Sequence, residues 1–189
     1  MPASTTSELL YYRVYQILMV KVILVDKKDN EIGREEKIKA HREGKLHRSF
    51  SVFIFNRRGE LLIQKRAKSK YHSPGLWSNA CCSHPRPDRN LEDEAKRRLK
   101  EEMGIVKCNL KEVFNFIYNQ KVGDLIEHEF DHVFFGTFEG NPKPNPDEAE
   151  SWKWINPIEL KKDIKENPGK YTAWFKLILD RVIRKYGSQ

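Results

Sequence analysis

The sequence predicts a mixed α/β (α+β) domain in which antiparallel hairpins and helices share one core. Three observations carry that reading. Runs rich in β-branched and aromatic residues, such as Ser49-Phe50-Ser51-Val52-Phe53-Ile54-Phe55, are bounded by turn residues. A fully punctuated helix stands near residues 91–103, and a last amphipathic helix runs from about Tyr171 to Tyr186. At 189 residues the chain fits one domain, long enough to bury a real core.

Residues 1–19 read as an extension, with a short helix expected in it, and residues 20–189 as the domain proper. Val20-Lys21-Val22-Ile23-Leu24-Val25 is a strand ending at the turn signal Lys28-Asp29-Asn30. A charged stretch without an assigned element continues through Glu43-Gly44. The strand Ser49–Phe55 meets Asn56-Arg57-Arg58-Gly59, which turns the chain into Glu60-Leu61-Leu62-Ile63-Gln64, so a hairpin is predicted. Pro74–Asn79 reads as a Pro/Gly-rimmed loop leading to Cys82. In the helix at 91–103, Asn90 caps the start, Glu92, Asp93 and Glu94 favour the positive end, and Gly104 stops it. Leu91, Ala95, Leu99 and Met103 form its apolar side.

Glu112–Tyr118 and Ile126–Phe138 are two more strands, with Val122-Gly123-Asp124 between them. Pro142, Pro144 and Pro146 mark a stiff surface loop, and Asn156-Pro157 opens another helix. The last helix carries Trp174, Leu177, Ile178 and Val182 as its apolar stripe.

Charge and cysteine usage narrow the function classes. The net charge of +8 admits an anionic partner, but Lys and Glu are mixed along most of the chain. The basic run Lys65–Lys70 lacks the spaced aromatics of a single-strand binding face, so no nucleic acid is expected. Three cysteines, two of them adjacent, make no disulfide framework, which points to a reducing cytoplasm. Residues 9–25 are apolar but interrupted by Arg13, Gln16 and Lys21, too polar for a membrane span and without a secretory pattern. A single Arg in the first twenty residues argues against a transit peptide.

The chemistry concentrates in a few places. Cys82 and His84 set a thiol and an imidazole two residues apart, after a loop of the kind on which sites form. Glu127, Glu129 and Asp131 alternate, so on a strand they leave one face, about 7 Å apart. Such carboxylates can converge on a divalent ion, and side by side they are costly without one. Solvent exposure is the other reading, but Phe130, Val133, Phe134 and Phe135 make this strand too apolar for a bare edge. His41, His47 and His84 could add imidazoles, and a mixed His/carboxylate set suits Zn²⁺, Mn²⁺ or Mg²⁺. A Cys₄ zinc knuckle is excluded by the lack of a second cysteine pair. Glu94, Arg98, Glu101 and Glu102 share a stripe of the 91–103 helix that is either a metal-holding surface or a solvated face of paired charges.

Spacing joins these pieces. Ser83, Arg89 and Arg97-Arg98-Leu99-Lys100-Glu101-Glu102-Met103-Gly104-Ile105 keep the intervals of the Nudix signature, in which Gly, Glu and Glu would stand at Ser83, Arg89 and Arg98. The chain resembles the Nudix superfamily and, within it, the type I isopentenyl-diphosphate isomerases. Further pieces that match are Ala40-His41, Leu46–Ser51, Arg66–Lys70, Pro74–Asn79, Cys82-Ser83-His84-Pro85 and Glu127-His128-Glu129. Replacing two glutamates by arginines removes metal capacity needed for hydrolysis and adds affinity for phosphate oxygens.

The resemblance implies a Nudix-type mixed sheet sandwiched between helices. It implies a metal site of His41, His47, His84, Glu127 and Glu129, filled by Mn²⁺, Zn²⁺ or Mg²⁺, and Glu102 holding a Mg²⁺ that bridges to the diphosphate of a small-molecule substrate. Lys37, Arg66, Lys70 and Arg98 would grip that diphosphate, and no flavin is expected. Moving the double bond of isopentenyl diphosphate to give dimethylallyl diphosphate needs two acid/base groups on opposite faces of the alkene and exclusion of water from a tertiary cation. Cys82 and Glu129 fill those roles, with Tyr118 supporting Glu129. Trp174 either offers its π-face to the cation or simply packs the last helix. The competing classes are a Nudix pyrophosphohydrolase of a nucleoside diphosphate derivative, disfavoured by the missing glutamates, and a non-enzymatic anion- or RNA-binding module, disfavoured by the acidic Glu127/Glu129 strand.

Overall fold

The structure is a computed structural model that describes residues 20–188; the expected extension and its helix at 1–19 lie outside the described residues. The strands are β1 (Lys21–Val25), β2 (Glu31–Glu36), β3 (His47–Phe55), β4 (Leu61–Arg66), β5 (Trp77–Asn79), β6 (Cys81–Ser83), β7 (Leu110–Val122), β8 (Leu125–Thr137) and β9 (Ala149–Ile155). The helices are α1 (Lys37–Glu43), α2 (Leu91–Met103), α3 (Pro157–Glu166) and α4 (Ala173–Tyr186). No helix among the described residues is long and apolar enough to cross a membrane.

All nine strands form one mixed sheet with β3 at its hub. Along one edge β3 runs parallel to β8, from His47↔Glu129 to Phe55↔Thr137. Its other edge is shared in turn by β1 at His47, β6 at Phe50–Val52 and β4 at Phe55. Alternation along β3 sorts its side chains into two cores. Phe50, Val52 and Ile54 join Ala95, Leu99 and Met103 of α2. Phe53 and Phe55 join Trp174, Phe175, Ile178, Leu179 and Val182 of α4. Helices therefore cover both faces of the sheet, as expected.

On the α4 side the facing residues change character along the strands. Phe53 and Phe135 are paired at the apolar end, whereas Ser49 is paired with Asp131 and His47 with Glu129 at the other. The hydrophobic core ends where this polar end begins, and that polar end becomes the site.

Several elements differ from expectation. The Asn56–Gly59 turn forms, with Gly59 N–H donating to the Asn56 carbonyl at 2.9 Å. The predicted hairpin nevertheless opens after one registered pair, Phe55↔Leu61, because β8 and β6 occupy β3 while β9 and β5 occupy β4. The unassigned charged stretch folds into β2 and α1. β2 ends the sheet beside β1 and has no fully buried residue, so its sequence carries no alternation. α1 is capped by the Glu36 carboxylate, which accepts from the Ile38 and Lys39 N–H groups, and it stops at Gly44 with φ 63°.

The supposed loop before Cys82 contains β5, and Cys82 itself lies on β6, paired with Ser51. β9 was not foreseen. The proline loop before it keeps Pro142 buried and runs along the end of α2, where the Lys143 and Asn145 N–H groups donate to the Met103 and Glu102 carbonyls. On α4, Leu177 is 54% exposed, and Phe175 and Leu179 complete the stripe in its place.

Candidate active site and metal centre

Four predicted ligands converge. His41 rises from α1, His47 opens β3, His84 follows β6 and Glu129 lies on β8 opposite His47, with one donor atom of each within 4.8 Å of the others. His84 Nε2 lies 3.1 Å from Glu129 Oε1 and 3.1 Å from His47 Nε2. Nε2 of His47 and of His41 lie 3.6 and 3.7 Å from the same carboxylate oxygen.

The outer nitrogens fix the chemistry. His41 Nδ1–H donates to the Lys37 carbonyl and His47 Nδ1–H to the Lys45 carbonyl, each at 2.8 Å. A carbonyl only accepts, so in each ring the Nδ1 hydrogen is spent outward and Nε2 is the nitrogen turned into the cluster. Burial and the Lys37 charge hold His84 well below its ordinary range. Three imidazole nitrogens and a carboxylate oxygen directed at one point are the donors that a cation needs. The donor set fits a divalent metal of borderline softness.

Glu127 and Asp131 share this face but do not join the four. Glu127 Oε1 accepts from His72 Nε2 at 3.0 Å, and burial together with the Glu129 charge pushes its carboxyl up to about 9. Asp131, expected as a third converging acid, is buried behind the site. It accepts from Ser51 Oγ at 2.7 Å and more distantly from Ser49, because its row of the sheet holds Ser49 rather than a ligand.

Tyr118 and Cys82, expected to serve proton transfer, stand beside the cluster. Tyr118 on β7 is paired with Glu129, and its hydroxyl donates to Glu129 Oε2 at 2.8 Å. Burial and the Glu129 charge raise that phenol well above its usual value. Cys82 donates its S–H to Asn79 Oδ1 at 2.9 Å. Both N–H bonds of the Asn79 amide are spent on the Val52 and Cys81 carbonyls, which fixes Oδ1 as an acceptor. Burial, reinforced by the Asp131 charge, pushes the Cys82 thiol up, so it holds its proton.

A basic wall closes the pocket. Lys37, Arg66, Lys70 and Arg98 all line it, together with Glu102 and Trp174. Arg98 NH2 donates to Glu102 at 2.8 Å and to Glu148 at 3.2 Å, and Lys70 Nζ pairs with Glu148 at 2.6 Å. Trp174 packs in the core, where its indole N–H donates to Ser78 Oγ, and it also lines the pocket, with its ring 5.4 Å from the Arg66 guanidinium. Arg89 is exposed and is not among the lining residues; of the two substituted arginines only Arg98 lines the pocket.

Every residue of the implied metal, diphosphate and proton-transfer sets lines this one pocket except His47, which is fully buried in the ligand cluster. Buried polar atoms without a partner include His84 Nδ1, Arg98 Nε and Glu127 Oε2, all in pocket-lining residues. Sequence reasoning missed Ser51, Tyr71, His72, Ser83 and Glu148 as wall residues. The pairing signal for Ser51 was its place on the β3 face. His72 and Glu148 lie in irregular segments where no spacing rule points inward.

A curled mixed sheet between helices, with a charged helix facing a carboxylate-lined pocket, defines a Nudix protein. The NUDIX domain family matches residues 45–175. At the level of the fold alone, the chain is similar to DR0079 from Deinococcus radiodurans (TM-score 0.73, 18% identity, 85% of this chain and 98% of that one). A MutT protein from Methanosarcina mazei Go1 is similar in the same sense (TM-score 0.60, 20% identity, 75% and 95%). Sequence relatives are narrower. Isopentenyl-diphosphate Delta-isomerase 2 of Aromatoleum aromaticum is 54% identical over 86% of each chain. Isopentenyl-diphosphate Delta-isomerase of Serratia proteamaculans is 50% identical over 84% of this chain and 88% of its own. The chain belongs to the Nudix family and, within it, to the isopentenyl-diphosphate Delta-isomerases.

Proposed function

We propose that this pocket interconverts isopentenyl and dimethylallyl diphosphate by proton transfer at carbon. The observation that carries the reading is one pocket holding a protonated thiol, a carboxylate backed by three imidazoles, and four cationic side chains. The cations lie inside a cavity rather than along a face, which suits a small diphosphate better than a nucleic acid. Lys37, Arg66, Lys70 and Arg98 would bind the diphosphate, and Glu102 beside Arg98 would hold a Mg²⁺ that neutralises its charge. His41, His47, His84 and Glu129, with Glu127 as fifth ligand, would hold a second divalent ion. Three imidazoles favour Zn²⁺ or Mn²⁺ over Mg²⁺ there. When bound, the ions would supply charge neutralisation and fix the carboxylates. Free thiols at Cys81, Cys82 and Cys108 suit a reducing compartment, and we place the protein in the cytoplasm.

Cys82 and Glu129 rise from the same sheet face, since Ser51 pairs with Cys82 and His47 with Glu129. Both line the one pocket, and the five-carbon chain would lie between them. Cys82 gives its proton to the terminal alkene carbon, leaving a tertiary cation at the branched carbon. Glu129 takes a proton from the carbon nearer the diphosphate, and the double bond re-forms one position along. Trp174 faces the cation with its ring and excludes water.

The test is conversion of isopentenyl diphosphate by the purified protein with Mg²⁺, followed as dimethylallyl diphosphate formed. The parent should turn over, and Cys82→Ala should lose about 10²–10⁴-fold in kcat. A parent without product, or a Cys82→Ala variant as active as the parent, overturns the proposal.

A further inference from the structure

Among the pocket residues that the catalytic reading leaves unused, His72 has the most defined surroundings. It lies in the segment between β4 and β5, and its ring is stacked on Tyr71 at 4.7 Å and tilted against Trp174 at 5.5 Å between centroids. Arg66 pins the segment. Its NH2 group donates to the His72 carbonyl at 3.1 Å, and its Nε donates to the Ser73 carbonyl at 3.3 Å. The same NH2 group lies 3.4 Å from His72 Nδ1. A guanidinium only donates, so Nδ1 is the bare nitrogen and the ring hydrogen sits on Nε2. That Nε2–H points at Glu127 Oε1, 3.0 Å away.

Glu127 is thereby oriented. Its side chain is 3% exposed, one oxygen is held by His72, and the other, Oε2, is buried with no hydrogen-bond partner. An unpaired buried carboxyl oxygen is expensive, and two residues along β8 stands Glu129 of the ligand cluster. We infer that His72 is a positioning residue for the metal centre: its Nε2–H clamps Glu127 Oε1 so that Oε2 is presented to the cation as an additional ligand. This rests on the proposed assignment of the His/Glu cluster as a metal site, and gives Arg66 a second task besides the diphosphate, that of setting the His72 tautomer. The arrangement is the familiar ligand-orienting hydrogen bond with the roles exchanged, since here a histidine orients a carboxylate.

The test uses Mn²⁺ alone, without any diphosphate, so that its outcome is independent of the isomerase assay. Mn²⁺ affinity is measured by competition with a chelator, and thermal unfolding of the metal-free protein reports whether each variant folds. His72→Ala should weaken Mn²⁺ binding about 10–100-fold. His72→Gln, whose amide N–H reaches in the direction of Nε2–H, should recover most of that loss. In a Glu127→Ala background, His72→Ala should add less than about twofold, because the clamp then has nothing to hold. A folded His72→Ala variant that binds Mn²⁺ like the parent overturns the inference, as does an undiminished effect of His72→Ala without Glu127. Failure of Mn²⁺ to bind the parent would instead remove the metal-site reading on which the inference stands.

Discussion

Glu129 divides its carboxylate between two tasks. Oε1 faces the imidazoles at 3.1 to 3.7 Å, while Oε2 accepts the Tyr118 hydroxyl at 2.8 Å. Tyr118 stays protonated because burial and the Glu129 charge raise its phenol, so the bond is a neutral donor to a charged acceptor, worth about 1.5–3 kcal/mol. Removing it should hurt proton transfer more than ligation. Tyr118→Phe is expected to lower kcat about 10–100-fold and to leave Mn²⁺ affinity within about threefold of the parent, read by steady-state kinetics and chelator competition. Equal losses in both would mean that the tyrosine serves the ligand set as a whole. At this scale the sequence was legible where chemistry is local: Cys82, His84, Arg98 and Glu102 announce themselves by spacing within two dozen residues. Glu148 was not, since its partners Lys70 and Arg98 lie 78 and 50 residues away and only the fold brings them together.

Among the elements, α2 shows how local signals and long-range contacts combine. Asn90 caps it through the Asp93 N–H, and Gly104 ends it at φ 68°. A Cβ on Gly104 would lie 2.5 Å from the Lys143 carbonyl oxygen, in the loop whose N–H groups close the last turn of the helix. Gly104→Ala therefore combines left-handed backbone strain with displacement of that loop. The expected loss is at least about 2 kcal/mol in urea unfolding, beyond that of an exposed glycine substitution. A change under about 0.5 kcal/mol would show that the loop yields freely. The helix could be placed from sequence because its caps, charge gradient and apolar period all lie within fifteen residues. β2 and α1 could not, since β2 has one neighbour and α1 buries only Ala40 and His41. The open β3–β4 hairpin was equally illegible: its turn chemistry is right, but a parallel partner some eighty residues away outcompetes the local pairing.

Across the whole molecule, the ligand cluster ties together segments that the sheet joins only weakly. Its residues come from α1, β3, the end of β6 and β8, so that ions held there link positions 41 to 129 of the chain. The contact of β1 with β3 is a single registered pair, Leu24↔His47, at the edge of this cluster. A ligand that binds only the folded state stabilises it by mass action, by about 2.7 kcal/mol at one hundred times its Kd. For a domain of this size that corresponds to a rise in Tm of roughly 5–11 °C. Mn²⁺ should therefore raise Tm by that amount, and a chelator in excess should reverse it. Cys82→Ala lies outside the ligand set and should keep the shift, whereas His84→Ala should lose most of it. If His84→Ala shows the full shift, the stabilising ion is held elsewhere, for example by the carboxylates of Glu102 and Glu148 around Arg98. If neither variant nor parent responds, the cluster of His41, His47, His84 and Glu129 holds no Mn²⁺ in the folded protein.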